Sequence, residues 1–284
     1  MATFLKTLKL IHIHPILIIF IIISIITGTF IHLFILLSIV FIHEFGHVLA
    51  AKYYKWRITA IDLWIFGGVM KTDEIGNRPI KEDIIVTLAG PLQHVFIFLF
   101  LLFLLKLDLI SSSIIHTAIQ YNWMIFFFNL LPIYPLDGGK LLFYCLSAVI
   151  PFRNAHKMTI VFSLCSVILI ILFQLFILPF TLSALLIMIF LMIENRSEWK
   201  NHYYLFIRFL LQRLNEPVNF KYKKLYVTAE NRLIDIFSLF MRNRNHQIYV
   251  LNRKVKFLSE KESLRLYFKQ QKLTETIGEI MKYK

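Results

Sequence analysis

Residues 43 to 47 read His-Glu-Phe-Gly-His. On a helix, residues four apart project from one face, so His43 and His47 can hold one divalent ion through imidazole nitrogens. Glu44 then stands where a general base acting on water is needed. With ten His and eleven Glu in 284 residues, chance yields this pattern only about 0.01 times. The surroundings add weight. The run Phe30–Ala51 is apolar, and a charge at the centre of such a span costs about 2.5–3.5 kcal/mol on insertion scales. An interior polar cluster that merely joins helices is the weaker alternative. A hydrolytic zinc site takes three protein ligands and keeps a fourth position open. Asp137 is the candidate third ligand. It lies in a stretch where Pro132, Pro135, Gly138 and Gly139 break the helix, which frees a carboxylate to swing toward a metal. Read alone, that stretch is equally an interfacial turn ending in a cap. Asn129 could donate to a substrate carbonyl or sit satisfied at a helix interface.

The elements that must position these residues follow from composition. Hydrophobic residues make up 58% of the chain, charged residues 17%, and mean hydropathy is +0.67. An ordinary soluble domain is about 45–50% apolar and about 25% charged. Disorder, collagen, coiled coil and disulfide scaffolds are excluded, and a soluble enzyme is disfavoured. A membrane span needs about 20 apolar residues. Six candidates are expected, near 10–26, 30–51, 84–105, 114–150, 159–178 and 180–193, the fourth unwound in its middle. A signal peptide is not expected, because the apolar region continues with no small-residue cleavage site. One set of loops carries Lys6, Lys9, Lys52, Lys55, Arg57, Lys71, Arg78, Lys81, Arg153, Lys157, Arg196 and Lys200, and the opposite set only Lys106. The positive-inside rule then puts both termini in the cytosol.

Charge divides the chain. The 84 residues from Asn201 carry 17 Lys or Arg against 7 Asp or Glu, a net +10 of the whole chain's +14. Near a bilayer such a tail meets anionic lipid or an acidic partner; nucleic acid is not expected, since no recognition motif is present. Residues 58–66, followed by Gly67-Gly68, read as a β-hairpin at the cytosolic interface. Its edge could take an extended peptide by strand addition, with Gly67 and Gly68 as a clamp. Residues 199–213 read as a basic amphipathic linker helix along the membrane. Beyond Glu216-Pro217 comes strand, helix, strand, helix, around 225, 233–240, 247–251 and 264–268. Cys145 and Cys165 are expected as buried apolar residues. His12, His14, His32 and His116 sit near span ends, and His156, His202 and His246 in basic segments are expected to be solvated.

HEFGH in an early span, Ala89-Gly90-Pro91 opening the next, and the segment Asn129 to Gly139 together resemble the site-2 protease family of intramembrane metalloproteases. The likeness covers residues 1 to about 200. It implies zinc on His43, His47 and Asp137, with Glu44 as catalytic base, and peptide hydrolysis near the cytosolic face. Asn129, Pro135, Gly67 and Gly68 are the candidate substrate-binding positions. Relatives often carry Asn three residues after the AGP proline; here that residue is His94, either a substrate contact or a packing residue. A six-span body with a trailing cytosolic domain is similar to the sporulation branch of endospore-forming bacilli. That branch implies a pro-sigma-K type sigma-factor precursor as substrate, inhibitory small membrane proteins, and the membrane around the forespore, facing the mother cell. The tail resembles one cystathionine β-synthase (CBS) repeat. Such repeats pair and sense adenosine nucleotides, so homo-oligomer pairing and ATP or another adenine nucleotide are implied, although no Gly-rich phosphate loop accompanies them.

The expected fold is thus an all-α polytopic membrane domain with a membrane-associated hairpin, plus a small C-terminal α/β CBS-like domain. Its bounds are 1–196 for the protease, 197–217 for the linker and 218–284 for the CBS-like domain. The alternative is a CBS-regulated ion or metal transporter, which would more naturally show internal repeats. A non-enzymatic scaffold leaves Glu44 between two histidines unexplained.

Overall fold

An apolar run in hydrocarbon must satisfy its own backbone groups, and only a helix does so within one segment. The computed structural model describes residues 11–13, 15–64, 67–72, 74, 78–176, 181–215, 221–251, 257–270 and 275–281. Lys6, Lys9, His14 and the Glu216-Pro217 break lie outside them. The chain divides into two compact units, Met1–Leu141 and Leu142–Lys284.

In the first unit a short strand β1 (Ile11–Ile13) precedes helices α1 (Pro15–Ile26) and α2 (Phe30–Tyr53). A hairpin of β2 (Ile58–Trp64) and β3 (Gly67–Thr72) follows, then α3 (Ile80–Leu107) and α4 (Ser112–Asn129). Helix α5 (Asp137–Val149) begins at the unit's end. The hairpin is antiparallel, with Trp64 opposite Gly67 and an irregularity between Ile58 and Ala60. Strand β1 pairs in parallel with β2. That strand was not foreseen, since its residues read as the start of a first span. Helix α2 packs against α3, α4 and β3.

The burial of α2 inverts that of a soluble helix. His43, Glu44 and His47 face inward, while Phe30, Phe34, Phe41 and Leu49 are exposed. Helix α3 does the same, turning Thr87, Gly90 and His94 inward and Leu92, Phe96 and Phe103 outward. Lipid accepts the apolar faces, so the polar groups seek each other.

In the second unit, α6 (Phe152–Phe176) packs on α7 (Leu182–Asn215). Strand β4 (Tyr222–Val227), helix α8 (Leu233–Phe237), strands β5 (Asn245–Val250) and β6 (Phe257–Ser259), and helices α9 (Glu260–Phe268) and α10 (Ile277–Ile280) follow. β4 and β5 are parallel, and β5 and β6 antiparallel. Leu233, Phe237, Phe240, Ile248, Leu258 and Leu264, each 0% exposed, form the core around this sheet. Helix α7 runs unbroken through residues 197–215, and its Phe206, Phe209, Leu210 and Leu214 are buried. Phe209 stacks on Phe152 at 4.2 Å, and the Phe152 amide donates to the Phe240 carbonyl.

Three described helices, α2, α3 and α6, are long and apolar enough to cross a membrane, and α1 is a shorter apolar helix. The fourth apolar run does break, into α4 and α5 with 130–136 between them. Two sequence expectations are corrected. Cys145 and Cys165 are exposed, because in an apolar helix the outward face is apolar too. His156 and His246 are buried, at 3% and 1% exposure. His246 alternates inward on β5 with Ile248 and Val250, and its Nδ1 lies 2.8 Å from Glu260. Counting charge among sequence neighbours missed that partner.

Candidate metal centre

Helical spacing brings His43 and His47 of α2 together, with their Nε2 atoms 3.1 Å apart. Asp137 opens α5, where Oδ2 lies 3.1 Å from each of those nitrogens. Its other oxygen takes the Lys140 ammonium at 3.2 Å. The connection 130–136 can fold back on the start of α5 because Gly138 and Gly139 lack side chains. A Cβ on Gly138 would stand 2.2 Å from the Leu130 carbonyl oxygen.

Do these residues fit a metal? His47 Nδ1 lies 2.8 Å from the Val86 carbonyl, which can only accept, so Nδ1 carries the proton and Nε2 presents a lone pair. That lone pair faces Asp137 Oδ2, which is buried and has no hydrogen bond. Bare acceptors at 3.1 Å repel unless a cation joins them. Ligands of a tetrahedral zinc with bonds of about 2.0–2.1 Å are separated by about 3.3–3.4 Å, close to the observed triangle. The space itself is kept open. A Cβ on Gly90 of α3 would stand 2.2 Å from His47 Nε2 and 2.8 Å from His43 Nε2. The donor set therefore fits a zinc ion.

Glu44 is buried at 8% exposure, and its ligand atoms lie within 4.8 Å of those of the histidines. By distance it is another possible ligand. Asp137 closes a tighter triangle, which leaves Glu44 free beside it. On Glu44's other side is β3, where a Cβ on Gly68 would stand 2.3 Å from Glu44 Cγ. Gly67 and Gly68, expected from the sequence as a turn, instead open strand β3, with Gly67 opposite Trp64. Asn129, at the end of α4, turns its Nδ2 onto Ile125 of its own helix at 3.1 Å. Pro135 is half-buried in the α4–α5 connection and follows a cis peptide bond.

Sequence reasoning left His94 open and did not single out Asn122. His94 Nε2 lies 3.0 Å from His43 Nδ1, and Asn122 Oδ1 lies 2.8 Å from His94 Nδ1. The available signal was that polar side chains in apolar helices must pair, but pairing across 28 residues cannot be read from spacing.

Comparisons with known proteins bear on the family. The sequence matches peptidase family M50 over residues 31–110 and 105–173. It is 37% identical over 276 residues to stage IV sporulation protein FB of Bacillus subtilis, covering 95% of this chain and 96% of that protein. It is 34% identical over 129 residues to zinc metalloprotease MJ0392 of Methanocaldococcus jannaschii, 44% of this chain and 37% of that one. The solved site-2 protease from Methanocaldococcus jannaschii superposes with a TM-score of 0.54 at 26% identity, over 66% of this chain and 89% of that one. Nothing in these matches supports the transporter alternative. Likeness to a sporulation relative along nearly its whole length, and to a solved protease in three dimensions, makes the conclusion plain: the chain belongs to peptidase family M50, the site-2 protease family of intramembrane metalloproteases.

Proposed function

We propose that the chain is a zinc-dependent endopeptidase cleaving a membrane-associated sigma-factor precursor of the pro-sigma-K type near the cytosolic membrane face. The observation that carries the reading is the 3.1 Å approach of Asp137 Oδ2 to both His43 and His47. The substrate class is inferred from the full-length likeness to a stage IV sporulation protein.

His43, His47 and Asp137 would hold the metal. When bound, zinc polarises a scissile carbonyl and makes a water more acidic. Glu44 takes the proton from the attacking water and passes it to the leaving amine. A helical peptide has its carbonyls already hydrogen-bonded, so the substrate must enter extended. β3 is an outer strand of the β1-β2-β3 sheet, and Gly68 on it lies against Glu44. A substrate strand added to that edge passes the base. Lys140 holds the second oxygen of Asp137, so that one oxygen alone points at the histidines. Asn129 and Pro135 line the substrate's far side in this reading.

The same reading places six spans and both termini in the cytosol, in the membrane around the forespore facing the mother cell. It divides the chain into a protease domain at 1–196, a linker at 197–217 and a CBS-like domain at 218–284. The β–α–β–β–α order from Tyr222 to Phe268 supports the last, through which copies pair and an adenine nucleotide binds in this reading, while membrane lipid and small inhibitory membrane proteins are partners of the whole chain.

Co-expression with a pro-sigma-K type precursor tests the function. Wild type cleaves it. Glu44→Gln loses cleavage by at least about 10²-fold and retains its zinc, measured by elemental analysis. Cleavage by Glu44→Gln at the wild-type rate would falsify the assignment.

A further inference from the structure

The two helix histidines are held from behind by different devices. His47 leans on the Val86 carbonyl. His43 leans on a side chain, with its Nδ1 3.0 Å from Nε2 of His94 on α3. His94 Nδ1 lies 2.8 Å from Oδ1 of Asn122 on α4, and Asn122 Nδ2 donates to the His94 main-chain carbonyl at 3.0 Å. His94 and Asn122 are 0% exposed and His43 is 3% exposed, so water does not substitute for any link.

The direction of every hydrogen bond follows from the Asn122 end. Its Nδ2 is the donor to a carbonyl, so Oδ1 is the acceptor and His94 Nδ1 must carry a hydrogen. A neutral imidazole with its hydrogen on Nδ1 has a lone pair on Nε2. That lone pair accepts from His43 Nδ1–H. His43 then has its own lone pair on Nε2, the atom facing His47 and Asp137. We propose that His94 and Asn122 are positioning residues: a relay across α2, α3 and α4 that fixes His43 in the tautomer able to bind zinc.

The proposal rests on the metal reading above and adds to it. Outer partners of a metal-bound histidine set its tautomer and ring orientation, and losing one lowers metal affinity by about 10–100-fold. The remaining alternative, that His94 merely fills space, predicts that a residue of similar bulk serves as well.

The test is zinc affinity of the purified full chain, by competition with a chelating dye, with circular dichroism and monodispersity as controls for folding. His94→Leu keeps the bulk and loses the acceptor; it should bind zinc about 10–100-fold more weakly. His94→Gln can accept from His43 through Oε1 and donate to Asn122 through Nε2, and should recover to within about threefold of wild type. Asn122→Leu releases His94 to either tautomer and should weaken zinc by about tenfold. Wild-type affinity in folded His94→Leu overturns the relay, as does a folded His94→Gln no better than His94→Leu. If His94→Leu does not fold, Asn122→Leu decides: unchanged affinity there overturns the proposal. A wild-type chain that binds no zinc sinks the metal reading itself, a result distinct from all of these.

Discussion

Gly90→Ala is the sharpest perturbation of the centre, because it adds one methyl group where the metal reading needs empty space. The new Cβ would stand 2.2 Å from His47 Nε2, 2.4 Å from Cε1 and 2.8 Å from His43 Nε2. Ordinary contact begins at 3.4 Å, so the His47 ring must retreat by about 1.2 Å to restore van der Waals distance. It has little room to do so. Its Nδ1 is tied to Val86 at 2.8 Å, and its ring sits edge-on to His43 with centroids 4.8 Å apart. Metal ligands tolerate displacements of only about 0.2 Å, so the site loses a ligand. Zinc affinity should fall at least about 10²-fold, or about 2.7 kcal/mol. The helix itself gains, since Ala in place of Gly in a helix interior is worth about 1 kcal/mol. That gain is offset by overpacking against the two rings, about 1–3 kcal/mol, so the metal-free fold should change by little more than about 2 kcal/mol while zinc binding falls. The assay is dye competition for zinc, beside thermal unfolding of the metal-stripped proteins. A Gly90→Ala chain that binds zinc like wild type would refute the geometry of the centre.

Two further predictions concern the second unit. Arg213 donates to the carbonyls of Met241, Arg242 and Arg244, pairs with the Glu260 carboxylate and lies over the Phe209 ring at 5.1 Å. Arg213→Ala strands these buried partners and should cost about 3–5 kcal/mol, measured by chemical denaturation; a loss under about 1 kcal/mol would mean water reaches them. Burial, with Glu194 alongside, pushes the Glu198 carboxyl up to about 7. The folded chain then keeps a proton that the unfolded chain gives up. Stability is full below about 4.5 and falls as pH rises through about 7. Glu198→Gln should flatten that slope in thermal midpoints taken from pH 4.5 to 8, and an unchanged slope would show that another group sets it.

How much of this was legible before any coordinates? The candidate ligands were, because their signal is local. His43, Glu44 and His47 are joined by helical periodicity alone, and the prolines and glycines around Asp137 announce a break that the α4–α5 connection shows. The hairpin was legible from its β-branched and aromatic residues, but Gly67 and Gly68, expected as its turn, are the first residues of strand β3, paired with Trp64 and Leu63. The parallel strand β1 was not: the short alternation Ile11-His12-Ile13 runs into the apolar stretch after Pro15 and reads as part of the first span. The buried states of His156 and His246 were hidden for a related reason: burial depends on what arrives from elsewhere in the chain.

The amino-acid order by itself determined that polar, metal-competent side chains would sit inside oily helices, since composition and helical spacing suffice for that. Tertiary packing alone decided who stands behind them. Gly90 beneath the imidazoles, Gly68 against Glu44, Val86 behind His47, and His94 with Asn122 behind His43 come from three separate elements, α3, β3 and α4. Hydrogen-bond direction and sub-ångström clearance are properties of distances between helices, and no periodicity along one chain encodes them.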